Sequence, residues 1–565
     1  MSRIENLRSN FEPGSTRWAV RIAQWRAMGI KEEDFERPKI AVVNSSSGLS
    51  ICYSHLDELA DLVVKEIYNA GGLGFEIRTV APSDFVTSAG REARYLMPSR
   101  DLIVNDIEAA VEGAVLDGMV LLSSCDKTTP GHLMAAARLN LPSIVVIGGY
   151  QVAGCLRGEM VDIDTVYEDV GAVTVGKLST EELAEIARVA IVGPGVCAGL
   201  GTANSMHMVA EALGMTLPGS APVRAGSEKM NAKATESAYA ILDLLAKGTK
   251  PREIITEGAI RNALTLATAA ATSVNVVRHI AAISVEAGLD IDVIGALEEI
   301  GAKTPLLARI RPNGLATVPE LEAAGGAHAV LSELREHLDL NVKTVSGMTL
   351  GEQLINSGSK NKAVISKSDN PLSKTGGLRV LRGTLAPSGA ILKVAAVKDP
   401  SRKFVGAAKV FSEELSALKA VKASQIHPGD VLVLRGMGPR GGPGTVFAAG
   451  LVAALVGAGL SNEVAVVTDG ELSGLNSGLT VGQVMPEAAD GGPLAIIQDG
   501  DQISIDLGSW RVDLLVSETE VKERLERLDK TPSWKKETGL LRLYGANVGP
   551  LNRGAVLGDV LRQEP

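Results

Sequence analysis

The chain has 565 residues, of which 45% are hydrophobic and 3% aromatic, and its formal net charge is −10. This length exceeds the roughly 250–300 residues that one hydrophobic core usually supports, so we expect more than one domain. The negative charge argues against nucleic acid as a main partner, because binding phosphates requires a basic surface. Four cysteines are too few for a disulfide scaffold, and no apolar leader segment is evident, so we expect a reduced, cytoplasmic protein.

The first part of the chain alternates apolar strands with helices. Strands are predicted where hydrophobic runs are bounded by polar turns, and helices where apolar residues recur at helical spacing. The predicted strands are Lys39–Val43, Phe75–Val80, Met119–Leu122 and Ser143–Ile147, and the predicted helices include His55–Ile67 and Ser99–Ala114, with Ser99 as a cap. The alternation predicts an α/β fold with a parallel sheet covered by helices. Residues 178–345 are predicted to be mainly helical, with one long helix from Ala259 to Glu286.

The composition changes near residue 345, and the polar run 357–371 is typical of a linker or an exposed crossing. Beyond it we predict short strands separated by turns, at Ala390–Ala395, Asp430–Leu434, Val464–Val467, Leu494–Ile497, Gln502–Ile505 and Arg511–Val516. The glycine-interrupted apolar stretch 444–460 is short for a membrane span of roughly 20 residues, and we predict a buried helix there. Two domains are therefore expected, an α/β domain at 1–355 with helical additions and a β-rich domain at 375–565.

The segment Leu121–Gly131 changes abruptly from an apolar strand to small, polar and reactive residues. Cys125, Asp126 and Lys127 stand side by side where the strand ends, and Pro130-Gly131 turns the chain. Loops at the carboxyl ends of buried parallel strands bind ligands in α/β proteins, so this segment is predicted to lie in an active site. A simpler interpretation is a strand followed by a helix that Asp126 or Thr129 caps.

Three cysteines share this local pattern. Cys52, Cys125 and Cys197 each follow a strand or a glycine-rich turn and precede a helix. Such positions converge at one edge of a doubly wound sheet, and thiolates that converge fit an iron–sulfur cluster or another soft metal site. The alternative is that they are buried free thiols, the commoner fate of isolated cysteines. Cys155 lies in an apolar run and is predicted to be a core thiol.

Asp84 and Asp126 follow predicted strands, and with Lys127 they offer ligands for a hard cation such as magnesium, which prefers oxygen. An unmodified lysine has no acceptor atom, so Lys127 would have to ligate as a carbamate or act as a base. The simpler alternative is a capping aspartate and an ordinary ion pair.

Long motifs along nearly the whole chain resemble the dihydroxy-acid dehydratase and phosphogluconate dehydratase family. The resemblance rests on Arg37-Pro-Lys-Ile40, Cys52-x-x-His-Leu56, Met97-Pro-Ser-Arg100, Cys125-Asp-Lys-Thr-Thr-Pro-Gly131, Cys197-x-Gly-x-x-Thr-Ala-Asn204, Leu381-Arg-Gly-Thr-Leu-Ala-Pro387, Gly438-Pro-Arg-Gly-Gly-Pro-Gly444, Ser473-Gly474 and Pro486-Glu-Ala-Ala-Asp-Gly-Gly-Pro493. It implies an α/β N-terminal domain and a β-barrel-like C-terminal domain with the active site between them. It also implies a homodimer or a dimer of dimers.

The resemblance also assigns roles to individual residues. Cys52, Cys125 and Cys197 match the cysteines that hold a cluster in the family, usually [2Fe-2S]. Asp84, Asp126 and Lys127 match its magnesium ligands, the lysine as a carbamate. Ser473 matches the serine proposed as the catalytic base. The implied reaction is dehydration of a small 2,3-dihydroxy acid to a 2-keto acid, most like the branched-chain type used in valine and isoleucine synthesis.

The sequence departs from the family pattern near the implied site. Phe447 takes the place of a magnesium-binding glutamate, and Glu471 takes the place of an arginine, so we expect weaker magnesium binding and a more apolar substrate pocket. Glu471 is itself a possible substitute ligand. His132 stands where methionine is usual. These changes keep two alternatives open: a sugar-acid dehydratase, and a non-catalytic homologue that binds a ligand through an altered pocket.

Overall fold

A computed structural model describes residues 7–84, 86–446, 449–472, 474, 477–528 and 531–559 of the chain. In these ranges the strands are β1 Lys39–Asn44, β2 Leu73–Arg78, β3 Gly118–Ser123, β4 Ser143–Ile147, β5 Gly154–Leu156, β6 Glu159–Val161, β7 Leu378–Leu381, β8 Gly389–Lys393, β9 Lys403–Phe411, β10 Asp430–Leu434, β11 Thr445–Val446, β12 Ala465–Thr468, β13 Glu471–Leu472, β14 Leu479–Met485, β15 Gln502–Asp506 and β16 Arg511–Leu514.

Helices cover both faces of the first sheet and fill the middle of the chain. Those in the described ranges are α1 Thr16–Ala27, α2 Leu56–Asn69, α3 Leu96–Ala114, α4 Thr128–Leu139, α5 Ile163–Thr174, α6 Thr180–Val189, α7 Thr202–Ala212, α8 Glu228–Lys247, α9 Pro251–Ile254, α10 Glu257–Ala269, α11 Asn275–Ala287, α12 Val293–Lys303, α13 Val318–Ala324, α14 Gly326–Glu333, α15 Leu350–Gln353, α16 Glu414–Lys422, α17 Ala449–Gly457, α18 Glu518–Arg527 and α19 Gly539–Asn547. Among the described residues, no helix is both long and apolar enough to cross a membrane.

The first sheet has the strand order β2-β1-β3-β4, and every pair in it is parallel. Strands β1, β3 and β4 are buried along their whole length, as expected for a sheet with helices on both faces. The predicted α/β architecture of this part is confirmed. Because the strands are parallel, the loops that follow β1, β2 and β3 all leave from the same edge.

The second sheet has eight strands in the order β16-β15-β9-β10-β12-β14-β8-β7, with parallel and antiparallel pairs. Its two edges meet: Arg382 N donates to Trp510 O at 3.0 Å, and Val512 N donates to Arg382 O at 2.9 Å. These bonds nearly close the sheet into a barrel, which confirms the barrel-like second part. Residues alternate along β10, so that Val431 and Val433 face the barrel core and Leu432 and Leu434 face the core shared with the first part.

Helices α5 and α17 join the two parts of the chain at close range. A Cβ atom on Gly171 would lie only 2.3 Å from the carbonyl carbon of Ala453, so only glycine allows the helices to approach this far. The apolar stretch predicted as a buried helix forms α17, with Leu451, Val452 and Ala454 buried.

Four local predictions were wrong. The segment Leu494–Ile497 is not a strand, because Pro493 begins a short 3₁₀ turn there. The long helix predicted from Ala259 to Glu286 breaks between α10 and α11, where Ala271 has a φ of 46° and Ser273 N donates to Ser205 Oγ at 3.1 Å. Ser99 lies inside α3 and donates to Leu96 O instead of capping the helix. Cys155 is exposed in the short hairpin β5–β6 rather than packed in the core.

The buried side chain of His132 makes the stability of the folded protein depend on pH. Its ring lies between Ser123 Oγ, 2.8 Å from Nδ1, and Ser45 Oγ, 3.0 Å from Nε2, and burial lowers its pKa to about 3. A neutral folded imidazole stabilises the protein above the unfolded pKa near 6.5, and this stability is lost as the pH falls from there toward 3. At pH 5 the loss amounts to about 2 kcal/mol.

We therefore expect His132→Met to flatten the decline in the free energy of unfolding between pH 7.5 and pH 5, measured by urea unfolding of the cofactor-free protein. His337→Met, at an exposed histidine, is the matched control and should leave the decline unchanged. If the free energy of unfolding of His132→Met falls as steeply between pH 7.5 and pH 5 as that of the native protein, His132 does not contribute to the acid sensitivity.

Candidate active site

The loops that follow β1, β2 and β3 bring the predicted residues to one edge of the first sheet. Cys52 lies in a 3₁₀ turn after β1, Asp84 follows β2, and Cys125 follows β3. Ser124 Oγ donates to Cys52 O at 2.6 Å, which holds the first and third loops together. The predicted caps Asp126 and Thr129 do not cap α4: its N-terminal flanking residue is Lys127, without a side-chain cap.

Cys52 and Cys125 touch within this edge. Both are buried free thiols, and a hydrogen bond with Cys125 lowers the pKa of Cys52 to about 6. In return, that bond and burial raise the pKa of Cys125. One thiol of the pair is therefore readily ionised, as a metal-binding cysteine must be.

Cys197 reaches the same edge from the loop before α7. Its neighbour Val196 donates from N to Gly149 O at 2.9 Å and accepts at its own O from Gln151 N at 2.8 Å, which attaches the loop to the end of β4. The loop is also held by Asn204 Nδ2, which donates to Cys197 O at 2.9 Å. Cys197 is partly buried and interacts electrostatically with Cys52 and with Asp84.

A buried cluster of opposite charges lies beside the cysteines. The amine Nζ of Lys127 is 3.1 Å from Asp126 Oδ2 and 3.9 Å from Asp84 Oδ2. Burial alone would lower the pKa of Lys127, but Asp126, Asp84 and Glu471 together raise it. Burial and the negative charge of Asp126 raise the pKa of Asp84 well above its usual value.

Three further residues belong to this cluster. Sequence analysis named Glu471 only as a possible substitute ligand and did not identify Arg278 and His279. Glu471 Oε2 is 3.4 Å from Lys127 Nζ, and Glu471 Oε1 is 3.6 Å from both Arg278 Nε and His279 Nε2. Burial would raise the pKa of Glu471, but Lys127 and Arg278 lower it to about 2. Arg278 and His279 lie in α11, whose thirteen residues are all buried. An arginine beside a histidine in such an apolar helix was the signal that could have revealed them; burial lowers the pKa of His279 to about 3, so its ring is neutral.

The donors present fit the groups that the resemblance implies. Three free thiols at one edge suit an iron–sulfur cluster. The carboxylates suit a hard cation, and Asp84 Oδ1 is buried without a hydrogen-bond partner in the described ranges. Among the described residues, no three His, Cys, Asp or Glu side chains are drawn together as a metal site; the ammonium group of Lys127 lies between the carboxylates instead.

Ser473 and Phe447 lie outside the described residues, so the roles assigned to them stay predictions. The neighbouring Gly474 is described, and a Cβ atom there would lie 2.6 Å from Gly201 Cα. The chain at Gly474 therefore packs directly against the loop that carries Cys197.

The chain is similar to known proteins over almost its whole length. Residues 37–353 match the N-terminal part and residues 363–555 the C-terminal part of the dihydroxy-acid/6-phosphogluconate dehydratase family. A dihydroxy-acid dehydratase of Dehalococcoides mccartyi is 40% identical over 540 residues, covering 94% of this chain and 97% of the relative. One of Pyrococcus furiosus is 42% identical over 539 residues, covering 94% and 96%. One of Carboxydothermus hydrogenoformans is 40% identical over 533 residues, again covering 94% and 96%. The chain is therefore a member of the dihydroxy-acid/6-phosphogluconate dehydratase family.

Proposed function

We propose that this protein is a hydro-lyase that converts a 2,3-dihydroxy acid into a 2-keto acid, with a branched acid of the 2,3-dihydroxy-isovalerate type as its substrate in branched-chain amino-acid synthesis. The observation that carries the proposal is the meeting of the three cysteines and the Asp84–Asp126–Lys127 cluster at one sheet edge. The relatives named above, all dihydroxy-acid dehydratases, support the choice of substrate.

We further propose that Cys52, Cys125 and Cys197 hold a [2Fe-2S] cluster and that Asp84, Asp126 and Lys127, as a carbamate, hold magnesium. When bound, these groups supply Lewis acids for the C3 hydroxyl and for the carboxylate and C2 oxygen of the substrate. A dimer acting on a free small molecule in the cytoplasm is part of the same proposal.

The protein's own residues provide proton transfer and a dry environment. Ser473, as the proposed base, would act as the alkoxide, deprotonated near the cations: it takes the proton from C2 while hydroxide leaves C3, and the resulting enol becomes the 2-keto acid. The side chains of Lys127, Arg278 and Glu471 have no solvent-exposed surface, so bulk water is kept from the charges that orient the substrate.

Anaerobic purification tests this proposal. We expect close to two iron and two sulfide ions per chain, and 2-keto acid formation from branched dihydroxy acids in preference to sugar acids. Turnover of sugar acids alone would favour the second dehydratase type, and a cluster-loaded protein that dehydrates neither class would contradict the proposed activity.

A further inference from the structure

Glu471 is fixed by its backbone in the middle of the candidate site. It begins the short strand β13, which pairs in parallel with β11, the strand that directly precedes residue 447. Its N donates to Gly444 O at 2.9 Å, and the same oxygen accepts a bond from Arg278 Nη1 at 2.8 Å. Glu471 is fully buried, and a glutamate in that position is costly unless its charge is compensated.

The two oxygens of the Glu471 carboxylate face different groups. Oε2 points to Lys127 Nζ, which is also the nitrogen nearest to Asp126 and Asp84. Three carboxylates therefore surround one amine. Oε1 lies 3.6 Å from the guanidinium nitrogen Nε of Arg278 and 3.6 Å from Nε2 of the neutral His279 ring.

This division matches a carboxylate that ligates a cation through one oxygen while neighbouring side chains hold the other oxygen in place. Carbamylation of Lys127, as proposed above, would remove the ammonium charge that now balances these carboxylates, and a divalent cation would take over that role. Asp84 Oδ1, buried and without a hydrogen-bond partner among the described residues, adds a free oxygen to the same place. All these donors are oxygen atoms, as magnesium and manganese prefer.

We propose that Glu471 is a ligand of the hard cation held by Asp84 and Asp126, coordinating through Oε2 while Arg278 and His279 position Oε1. The proposal rests on the proposed function, because it adds a ligand to the cation site of that function. It also gives a reason why the chain can carry Phe447: Glu471 supplies the anionic oxygen that position 447 does not.

Manganese is a suitable probe, because bound and free Mn²⁺ are distinguished by electron paramagnetic resonance and an oxidised [2Fe-2S] cluster is silent. We expect Glu471→Gln to weaken Mn²⁺ binding to the cluster-loaded protein by roughly ten- to a hundredfold. Glu487→Gln is the matched control: Glu487 is another buried glutamate that interacts with Arg278, but it accepts its bond from Arg440 N. The Mn²⁺ affinity of the Glu487→Gln protein should stay within twofold of the native value.

Two double variants separate a ligand from a mere counter-ion of Arg278. Phe447→Glu with Glu471→Gln should restore Mn²⁺ affinity, because the resemblance gives position 447 a magnesium-binding glutamate. Arg278→Gln with Glu471→Gln should stay weak if Glu471 is a ligand. Native affinity in Glu471→Gln, or recovery in the Arg278→Gln double variant, would overturn the proposal.

A measurement on the unmutated protein covers the case in which Glu471→Gln does not fold. With the δ-carbon of glutamate labelled with ¹³C, bound Mn²⁺ should show a carbon coupling in electron–nuclear double resonance, since its other proposed protein ligands are aspartates and a lysine. A missing coupling would exclude Glu471 from the coordination shell. These binding experiments need no substrate, so their failure is distinct from a failure of the dehydratase assay.

Discussion

Cys125→Ser is expected to remove the visible absorbance of the anaerobically purified protein, together with its iron and sulfide. A serine hydroxyl is rarely ionised near neutral pH and is a poor ligand for iron, whereas Cys125 is buried in contact with Cys52. Dehydratase activity should fall to background with the colour, since the proposed reaction depends on the cluster.

Cys52→Ser and Cys197→Ser should have the same effect, and Cys155→Ser is the matched control. Cys155 is exposed in the hairpin β5–β6, so its replacement should preserve both colour and activity. Full colour in Cys125→Ser would refute the assignment of this cysteine to a cluster.

Ser473→Ala is expected to lower turnover roughly 10²- to 10⁴-fold, the loss typical of a missing general base. Iron and sulfide content should stay at the native level, because the hydroxyl is proposed to act on the substrate and not on the cluster. The measurement is initial-rate formation of the 2-keto acid, normalised to iron.

Ser477→Ala, four residues further along the chain, controls for general disturbance of this segment. We expect it to retain turnover within about twofold of the native value. Near-native turnover of a fully coloured Ser473→Ala enzyme would show that another group removes the C2 proton.

The sequence was most informative where parallel strands end. Cys52, Asp84 and Cys125 lie far apart along the chain, yet the strand pattern alone predicted that they share an edge, because parallel strands deliver their following loops to one side. The family motifs then predicted the barrel-like second part, which the bonds between Arg382 and the last strand confirm.

What the sequence could not show depended on contacts between distant segments. The position of Glu471 between Lys127 and the two α11 residues Arg278 and His279 results from packing three separate parts of the chain together, and no local periodicity encodes it. The break after α10 was missed because Ala271 is an ordinary helix former, and only tertiary bonds such as that to Ser205 decide its conformation. Cys155 was misjudged since an apolar neighbourhood in sequence does not require burial.

The glycine contact between α5 and α17 has a consequence for how the protein unfolds. Apolar side chains of both parts, including Val120 from the first sheet and Leu432 from the barrel, belong to one continuous core. Separating the parts at the polar run 357–371 would expose that shared surface on each piece, at roughly 25 cal/mol for each Å² of apolar area. We therefore expect the two parts to melt as one cooperative unit, so that the linker is a boundary in the sequence but not in the folding energetics.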